Sequence, residues 1–468
     1  MLMRFSVANF MSFPYKTDSQ GRMVPSEFTM YAGRTEHFKE RIIHFNKRKV
    51  LKFASVYGAN AAGKSNLIKA MDCGRDIIMG DIDAPGMKNL YCRCDMSNQE
   101  KPTFFEYEFT VDAKCYAYGF TVNLWKGEVL TEWLVELDDD NERTIFERDV
   151  KSSQYYFDET CFLEQENIQQ FHFFLKDVNR IPNSLLLYEL KRRKLEGEDF
   201  ELYQKLYGWF QKKLVIIYPE TPIGESYFRF SSDKRRLIQI LKYLDTGITG
   251  YSMKKLNESA FREYFTDDAL ADRFLKRESQ CGKVKRKGIL RYQDTLFEVE
   301  FDGDETPQIS KLLFQHGKSE ALYEYGEESD GTQRLIELLE IIVNDDEEKT
   351  FVIDELDRSL HPQMTRKFVE TFFKFSEQMK TQLITTTHES NLMDLELLRR
   401  DEIWFAERRA DHSTALYPME QFKIRYDKVI AKDYLAGRYG AVPVFQDFAY
   451  VWGREMSGET EFENSEVI

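Results

Sequence analysis

Leu51-Lys52-Phe53-Ala54-Ser55-Val56-Tyr57-Gly58-Ala59-Asn60-Ala61-Ala62-Gly63-Lys64-Ser65-Asn66 is the segment from which the rest of the chain is read. Its first seven residues form an apolar, aromatic and β-branched run of the kind that a buried sheet strand needs. Gly58-x-x-x-x-Gly63-Lys64-Ser65 follows without a break, and Leu67, Ile68, Met71 and Ile78 then recur at helical spacing. Strand, glycine-rich loop and helix in that order are the context a phosphate-binding loop requires. The glycines let successive backbone N–H groups turn inward around a phosphate, and the helix N-terminus adds its positive end. Lys64 offers a point charge to β- and γ-phosphates, and the Ser65 hydroxyl is a Mg²⁺ ligand. Gly58, Asn60, Ala61, Ala62, Gly63 and Asn66 make up the rest of the expected nucleotide cradle.

Thr350-Phe351-Val352-Ile353-Asp354-Glu355 supplies the second half of such a site. A buried strand that ends in two carboxylates is costly unless a cation or substrate meets them. Asp354 is expected to hold Mg²⁺, directly or through water, and Glu355 to polarise an attacking water. Ser329-Asp330-Gly331-Thr332-Gln333 precedes the apolar helical pattern of Leu335, Ile336, Leu339, Ile342 and Val343. Serine and glycine at a helix N-terminus form an anion site of their own. His388 closes the strand Gln382-Leu383-Ile384-Thr385-Thr386-Thr387, where an imidazole can reach a γ-phosphate. Taken singly, Ser329 reads as a helix cap and His388 as a polar strand end. Their order behind a P-loop favours the functional reading.

The chain has 468 residues, 42% hydrophobic and 31% charged, enough to bury a sizeable core. With 65 Lys and Arg against 80 Asp and Glu the net charge is -15, so contact with nucleic acid or anionic lipid needs a local basic patch. No apolar run approaches the roughly 18 residues that span a bilayer, and the N-terminal residues lack a signal-peptide pattern. The six cysteines form no C-x-x-C. Reduced thiols and a cytoplasmic location are expected. His388-Glu389 opens an H-E-x-x-H pattern, but Leu392 stands at the second histidine position.

Strand signals cover 2–10, 104–111, 116–122, 129–137 and 288–325, whereas 150–285 carries long charged helical patterns with few strand signals. Strand–helix alternation at both ends predicts an α/β domain assembled from the two chain ends around a mainly helical insertion. The expected division is 1–149 (P-loop and β-rich part), 150–287 (helical insertion or lid), 288–452 (second part of the α/β domain) and 453–468 (acidic tail).

P-loop, long insertion, S-x-G-T-x-R, D-E-x-D and strand-end histidine, in that order, resemble the ABC-class ATPases. Within that class the chain is similar to the SMC, RecF and OLD group. Phe5-Ser6-Val7-Ala8-Asn9-Phe10-Met11-Ser12-Phe13 resembles that group's opening strand, and Asp354-Glu355-Leu356-Asp357-Arg358-Ser359-Leu360-His361-Pro362 its Walker B and D-loop segment. Tyr434-Leu435-Ala436-Gly437-Arg438-Tyr439-Gly440-Ala441-Val442-Pro443 resembles the C-terminal segment of a prokaryotic subfamily found in phage-defence operons, the general kind of the AriA, AbiL and RloA ATPases. The resemblance covers both chain ends and leaves 150–285 uncovered.

It implies that Ser329, Gly331 and Thr332 are a signature contacting ATP across a dimer interface, that Asp357 is the D-loop residue and that His388 is the switch histidine. Lys64, Glu355 and His388 would be the catalytic set, and Ser65 and Asp354 the metal ligands. A glutamine coupling Mg²⁺ to the lid has no clear position; Gln99 is a candidate. The resemblance further implies a homodimer or larger homo-oligomer closed around ATP. Only 80 residues follow His388, too few for the nuclease domain that OLD proteins append. A sensor or scaffold controlling a separate nuclease or toxin is therefore expected. The alternative is a DNA-repair or DNA-clamping ATPase, supported by the basic run Lys276-Arg277 and Lys283-Val284-Lys285-Arg286-Lys287, continuing to Arg291, although such a run taken alone reads as a solvated turn next to the insertion.

Overall fold

The computed structural model describes residues 1–138, 141–195, 197–219, 234–265, 267, 269, 271–272, 275, 286–301, 307–343, 348–377, 380–423 and 429–442. Its centre is a six-stranded sheet in the order β11 (Leu214–Ile217), β17 (Thr350–Ile353), β18 (Gln382–Thr386), β5 (Phe53–Tyr57), β19 (Ile403–Arg408) and β20 (Thr414–Pro418). Every neighbouring pair is parallel except the last, β19 with β20. All five parallel strands therefore end on one edge, where open α/β sheets bind ligands.

Side-chain alternation splits the sheet's two faces. Ala54, Val56, Val352 and Ile384 point into one core with Leu67, Ile68 and Met71 of α1 (Lys64–Ile78). Phe53, Tyr57, Phe351, Ile353 and Leu383 point into the other, with Leu335 and Leu339 of α7 (Asp330–Val343) and Phe368 and Phe372 of α8 (Pro362–Ser376). Strands buried on both faces are what their unbroken apolar sequences require.

The first core continues into a seven-stranded antiparallel sheet ordered β10 (Gln154–Phe157), β9 (Glu142–Asp149), β8 (Glu128–Leu137), β7 (Lys114–Asn123), β6 (Thr103–Val111), β1 (Leu2–Ala8) and β2 (Ser26–Thr29). A two-stranded ladder, β3 (Ile42–Phe45) and β4 (Arg48–Leu51), leads into β5. The buried amide of Gln382 joins the two large sheets: its Nε2 donates to the Leu2 and Leu51 carbonyls, both at 2.9 Å, while its Oε1 accepts from Leu2 N–H at 2.9 Å. A third sheet orders β12 (Ile248–Leu256), β15 (Gln308–His316), β14 (Thr295–Phe301) and β13 (Arg286–Tyr292), with β16 (Leu322–Tyr323) on β15. The last helix, α9, is Ile430–Leu435.

The stretch 150–287, expected to be mainly helical, holds strands as well as helices. This stretch does hold α2 (Gln165–Val178), α3 (Leu186–Arg192), α4 (Glu198–Gly208), α5 (Lys234–Tyr243) and α6 (Glu258–Arg262). It also holds β10, an edge strand of the seven-stranded sheet, β11, an edge strand of the central sheet, and β12. Leu214-Val215-Ile216-Ile217 is a four-residue apolar run that fits helical and strand periods equally well. A π-turn at Trp209–Lys213 ends the helix just before it. In addition, α2, α3 and α4 bury Phe171, Leu175, Leu186 and Phe200 in the same core as the seven-stranded sheet. Of the basic run, Lys276, Arg277 and Lys283 to Lys285 lie outside the described residues while Arg286 and Lys287 open β13, and the acidic tail from Gly453 lies outside them too. Among the described residues, no helix is long and apolar enough to cross a membrane.

The helices are docked on that sheet by one fully buried carboxylate. Glu132 of β8 accepts from Tyr118 Oη (2.7 Å), Arg148 Nε (2.7 Å) and the Leu186 N–H (2.9 Å) that opens α3. Both members of the Glu132–Arg148 pair have 0% side-chain exposure. Glu132→Ala leaves the Arg148 charge buried with its main partner gone, and we expect a loss of about 3–5 kcal/mol in denaturant unfolding. A loss below 1 kcal/mol would show that the pair does not anchor α3.

Candidate functional site

The loop from β5 to α1 turns on Gly63, whose φ of 101° lies in the left-handed region. A side chain there would meet the Thr414 hydroxyl at 2.0 Å, so both conformation and space select glycine. Thr414 Oγ1 in turn donates to the Ala62 carbonyl at 2.9 Å and lies 2.7 Å from Ser12 Oγ, which accepts from Asn66 Nδ2 at 2.7 Å. The phosphate loop is thus buttressed by the chain's opening segment and by β20. Sequence reading misses both supports, because no spacing connects residue 414 or residue 12 to residue 62. Lys64 Nζ folds over the loop and donates to the Gly58 and Ala59 carbonyls at 2.9 and 3.1 Å. Burial holds its pKa below the usual lysine value, against the pull of Asp354, Glu355 and Asp357.

Asp354 leaves β17 at 4% exposure. Its Oδ1 accepts from Thr386 Oγ1 at 2.6 Å and from Ser65 Oγ at 3.1 Å. The same Thr386 hydroxyl accepts the Glu355 N–H at 2.8 Å, and the Thr386 carbonyl accepts Leu356 N–H at 3.0 Å. Glu355 has a φ of 53°, a conformation uncommon outside glycine that turns the chain sharply at the strand's end. By sequence Thr386 is only part of a strand; its place beside Asp354 follows from the β17–β18 pairing and is invisible to a local motif. Two oxygen donors 3.1 Å apart, one of them a carboxylate, suit Mg²⁺, which favours hard ligands and is held through one or two carboxylates plus substrate phosphates. Among the described residues, no cluster of three or more His, Cys, Asp or Glu side chains forms a metal cage.

Asp357 and His388 meet: both carboxylate oxygens of Asp357 accept from the His388 N–H at 3.3 Å. Partial desolvation, and then Lys64, lower the His388 pKa below 6.5. The arrangement therefore gathers Lys64, Ser65, Asp354, Glu355, Asp357 and His388 at one sheet edge. Ser329, Gly331 and Thr332 occupy the start of α7 instead. There Ser329 Oγ accepts the Thr332 N–H at 3.2 Å and lies 2.9 Å from Thr332 Oγ1, so the cap expected of Ser329 is present. Among the described residues, no hydrogen bond joins Ser329 or Thr332 to residues 58–66.

Gln99 lies in the short turn Met96–Glu100, where its carbonyl accepts from Asn123 Nδ2 at 3.5 Å. The strand that borders Asp354 on the side away from Thr386 is β11: the Ile217 carbonyl accepts the Asp354 N–H at 2.9 Å, and the next residue, Tyr218, donates its hydroxyl to Asp72 of α1 at 2.9 Å.

Thr386→Val keeps the volume and removes the hydroxyl shared by Asp354 and Glu355. We expect nucleotide turnover to fall about 10-fold or more, with a thermal midpoint within a few degrees of the parent. Unchanged turnover would mean that the carboxylates need no such support. For His388, NMR titration of the imidazole is expected to give a midpoint below 6.5 that rises in Lys64→Met, where the neighbouring cation is gone. An unshifted midpoint would separate the two residues electrostatically.

Comparison with known proteins adds a family. The model of the family described as "AAA domain, putative AbiEii toxin, Type IV TA system" matches residues 53–394, from the P-loop strand to beyond His388. No curated protein sequence matches the chain. Among solved structures, the chain is similar to an SmcHead bound to the C-winged helix domain of ScpA, at 13% identity and a TM-score of 0.42, over 89% of this chain and 97% of that one. It is similar to the SMC head domain from Thermotoga maritima at 14% identity and a TM-score of 0.32, over 90% and 99% of the two chains. It is also similar to an Smc head domain with an extended coiled coil bound to the C-terminal domain of ScpA derived from Pyrococcus furiosus, at 12% identity and 0.38, over 89% and 96%. Likeness at these levels carries no statement about function. The family match spans well over half of the sequence and contains both halves of the phosphate site: the chain belongs to this AAA-domain family.

Proposed function

We propose that this chain is a Mg²⁺-dependent ATPase of the ABC class that closes as a homodimer around ATP and acts as a sensor or scaffold for a separate effector, a nuclease or toxin, in antiphage defence. The observation that carries the ATPase reading is the Ser65–Asp354–Thr386–Glu355 network at the mouth of the P-loop. In this reading the backbone of residues 58–63 and Lys64 bind the triphosphate. Ser65 and Asp354 would hold Mg²⁺, which when bound would offset the negative charge of the triphosphate. Glu355, turned out of β17 by its positive φ, orients and deprotonates water. His388 sits against Asp357, placed to sense the γ-phosphate through the loop after β18.

Support for the dimer comes from α7. The Ser329 turn is exposed and carries its own anion-binding geometry, yet it has no hydrogen bond to the P-loop of its own chain among the described residues. A second copy supplies what it lacks, and ATP binding then becomes association energy. Support for the defence role comes from the family's description, which names a toxin of a type IV toxin–antitoxin system.

The test is a Glu355→Gln variant held in MgATP and expressed with its native gene neighbours. We expect phosphate release to fall at least about 100-fold, as loss of a general base implies. We also expect ATP-dependent association, and a stoichiometric effector protein recovered with the tagged chain. Phosphate release equal to that of the parent would remove Glu355 from the chemistry. Recovery of DNA with no protein partner would replace the scaffold role by a DNA-clamping one.

A further inference from the structure

The outer face of the seven-stranded sheet carries a hollow that the phosphate site does not use. Tyr118, Leu134 and Phe146 point into the core from β7, β8 and β9, so their chain neighbours Gly119, Trp133 and Glu147 look outward. Strand register sets these three in a row with Tyr156 of β10: Gly119 faces Trp133, Trp133 faces Glu147, and Glu147 faces Tyr156. Directly opposed residues on one face stand about 4.5–5.5 Å apart at Cβ. Glu147 is a carboxylate set between two aromatic side chains.

The indole is held in place. Glycine inside a strand weakens it and marks a close approach, and a Cβ at Gly119 would stand 2.3 Å from Trp133 Cζ2, so the ring lies over that position. Trp133 Nε1 donates to Glu106 Oε2 at 3.0 Å, and the ring packs 5.5 Å from that of Phe104. Because Trp133 leans toward β7, the space above Glu147 stays open. It is a hollow of about 500 Å³ whose lining includes Thr131, Trp133, Glu147, Asp149 and Tyr156. Tyr156 is 49% exposed, and β10 is the last strand of the sheet, so the hollow opens sideways as well as outward.

Charge selects the occupant. Glu147 is exposed and, among the described residues, has no ion pair. Asp149, opposite Thr131 and Gln154, adds a second carboxylate, and Lys151 sits in the turn that follows it. On the same face Arg4 of β1 is already divided among Glu27, Glu106 and Glu108. Ser6 continues the row between Glu27 and Glu106; it is 1% exposed, and its hydroxyl has no partner. This face therefore holds polar groups that the chain itself leaves unsatisfied. A net charge of -15 repels nucleic acid, anionic lipid and a second copy of this chain. A planar guanidinium both stacks on aromatic rings and forks onto a carboxylate, whereas an ammonium offers a point charge.

The geometry points to this hollow as the docking site for an arginine-bearing segment of a partner protein, its guanidinium paired with Glu147 between Trp133 and Tyr156. The site belongs to the antiparallel sheet and stands whether or not the chain hydrolyses ATP.

The test is the fluorescence anisotropy of a labelled peptide of alternating glycine and arginine, and of its lysine counterpart, with the full chain. The variants are Glu147→Gln, Tyr156→Ala and, as a control, Glu320→Gln, which removes the same charge from the exposed segment between β15 and β16. We expect the arginine peptide to bind at least about 3-fold more tightly than the lysine one, and Glu147→Gln and Tyr156→Ala each to weaken it about 3-fold or more. Glu320→Gln should change it less than about 2-fold. Equal weakening by Glu147→Gln and Glu320→Gln would assign the attraction to overall charge and overturn the site. Equal affinity for the two peptides, or no binding by the parent, would overturn it as well. Spermidine displacing the labelled arginine peptide at lower concentration than the unlabelled peptide does would make the hollow a polyamine site and remove the protein partner. Thermal melting checks that each variant is folded; should Tyr156→Ala not fold, Glu147→Gln, altered at an exposed side chain, decides the matter.

Discussion

The Asp354 carboxylate is the constraint on which the rest of this architecture depends. It is almost out of water, so it must be met by donors on fixed elements. Those donors are a hydroxyl from the helix after β5 and a hydroxyl from β18. To bring both within reach, β18 must lie between β17 and β5, with all three strands running the same way. The observed sheet order satisfies this requirement. The crossovers needed to keep the strands parallel place α1 on one face and α7 and α8 on the other. The antiparallel sheet then covers the α1 face.

How much of this can be read in sequence depends on the range of each contact. The P-loop is legible because its strand, its glycines and its Lys-Ser pair are contiguous. The Asp354-Glu355 pair is legible because a strand ending in two acids conflicts with burial. Thr386 is not legible: one of three successive threonines, it becomes part of the site only through a neighbour 32 residues away. Ser12 and Thr414 are further from sight, since they meet each other across 402 residues to support a loop belonging to neither. The strand β11 escaped for a different reason. Four apolar residues fit either period, and nothing local says that Leu214 begins a strand and does not finish a helix.

The same reasoning explains why Gln99 attracted notice without a geometric basis. Proximity to the P-loop in sequence is a poor guide to proximity in this sheet. The segment beside Asp354 is the exit of β11, joined to α1 by the Tyr218–Asp72 bond. Polar groups at the carboxyl ends of neighbouring parallel strands are assembled by topology.

The position of β5 also sets a timetable for synthesis. Both of its partners, β18 and β19, begin more than 320 residues after it ends. At ribosomal rates of ~5–20 residues per second, the nascent P-loop strand waits roughly 15–65 s for a neighbour. During that interval the antiparallel sheet can pair locally, because β6 to β10 are successive in the chain. The apolar strand that precedes the phosphate loop has no such recourse. Any chain released before Gln382 is made carries an unpaired hydrophobic strand and lacks the amide that joins the two large sheets. Premature termination therefore yields an aggregation-prone fragment with no nucleotide pocket, and competence to bind phosphate becomes a property of nearly completed chains.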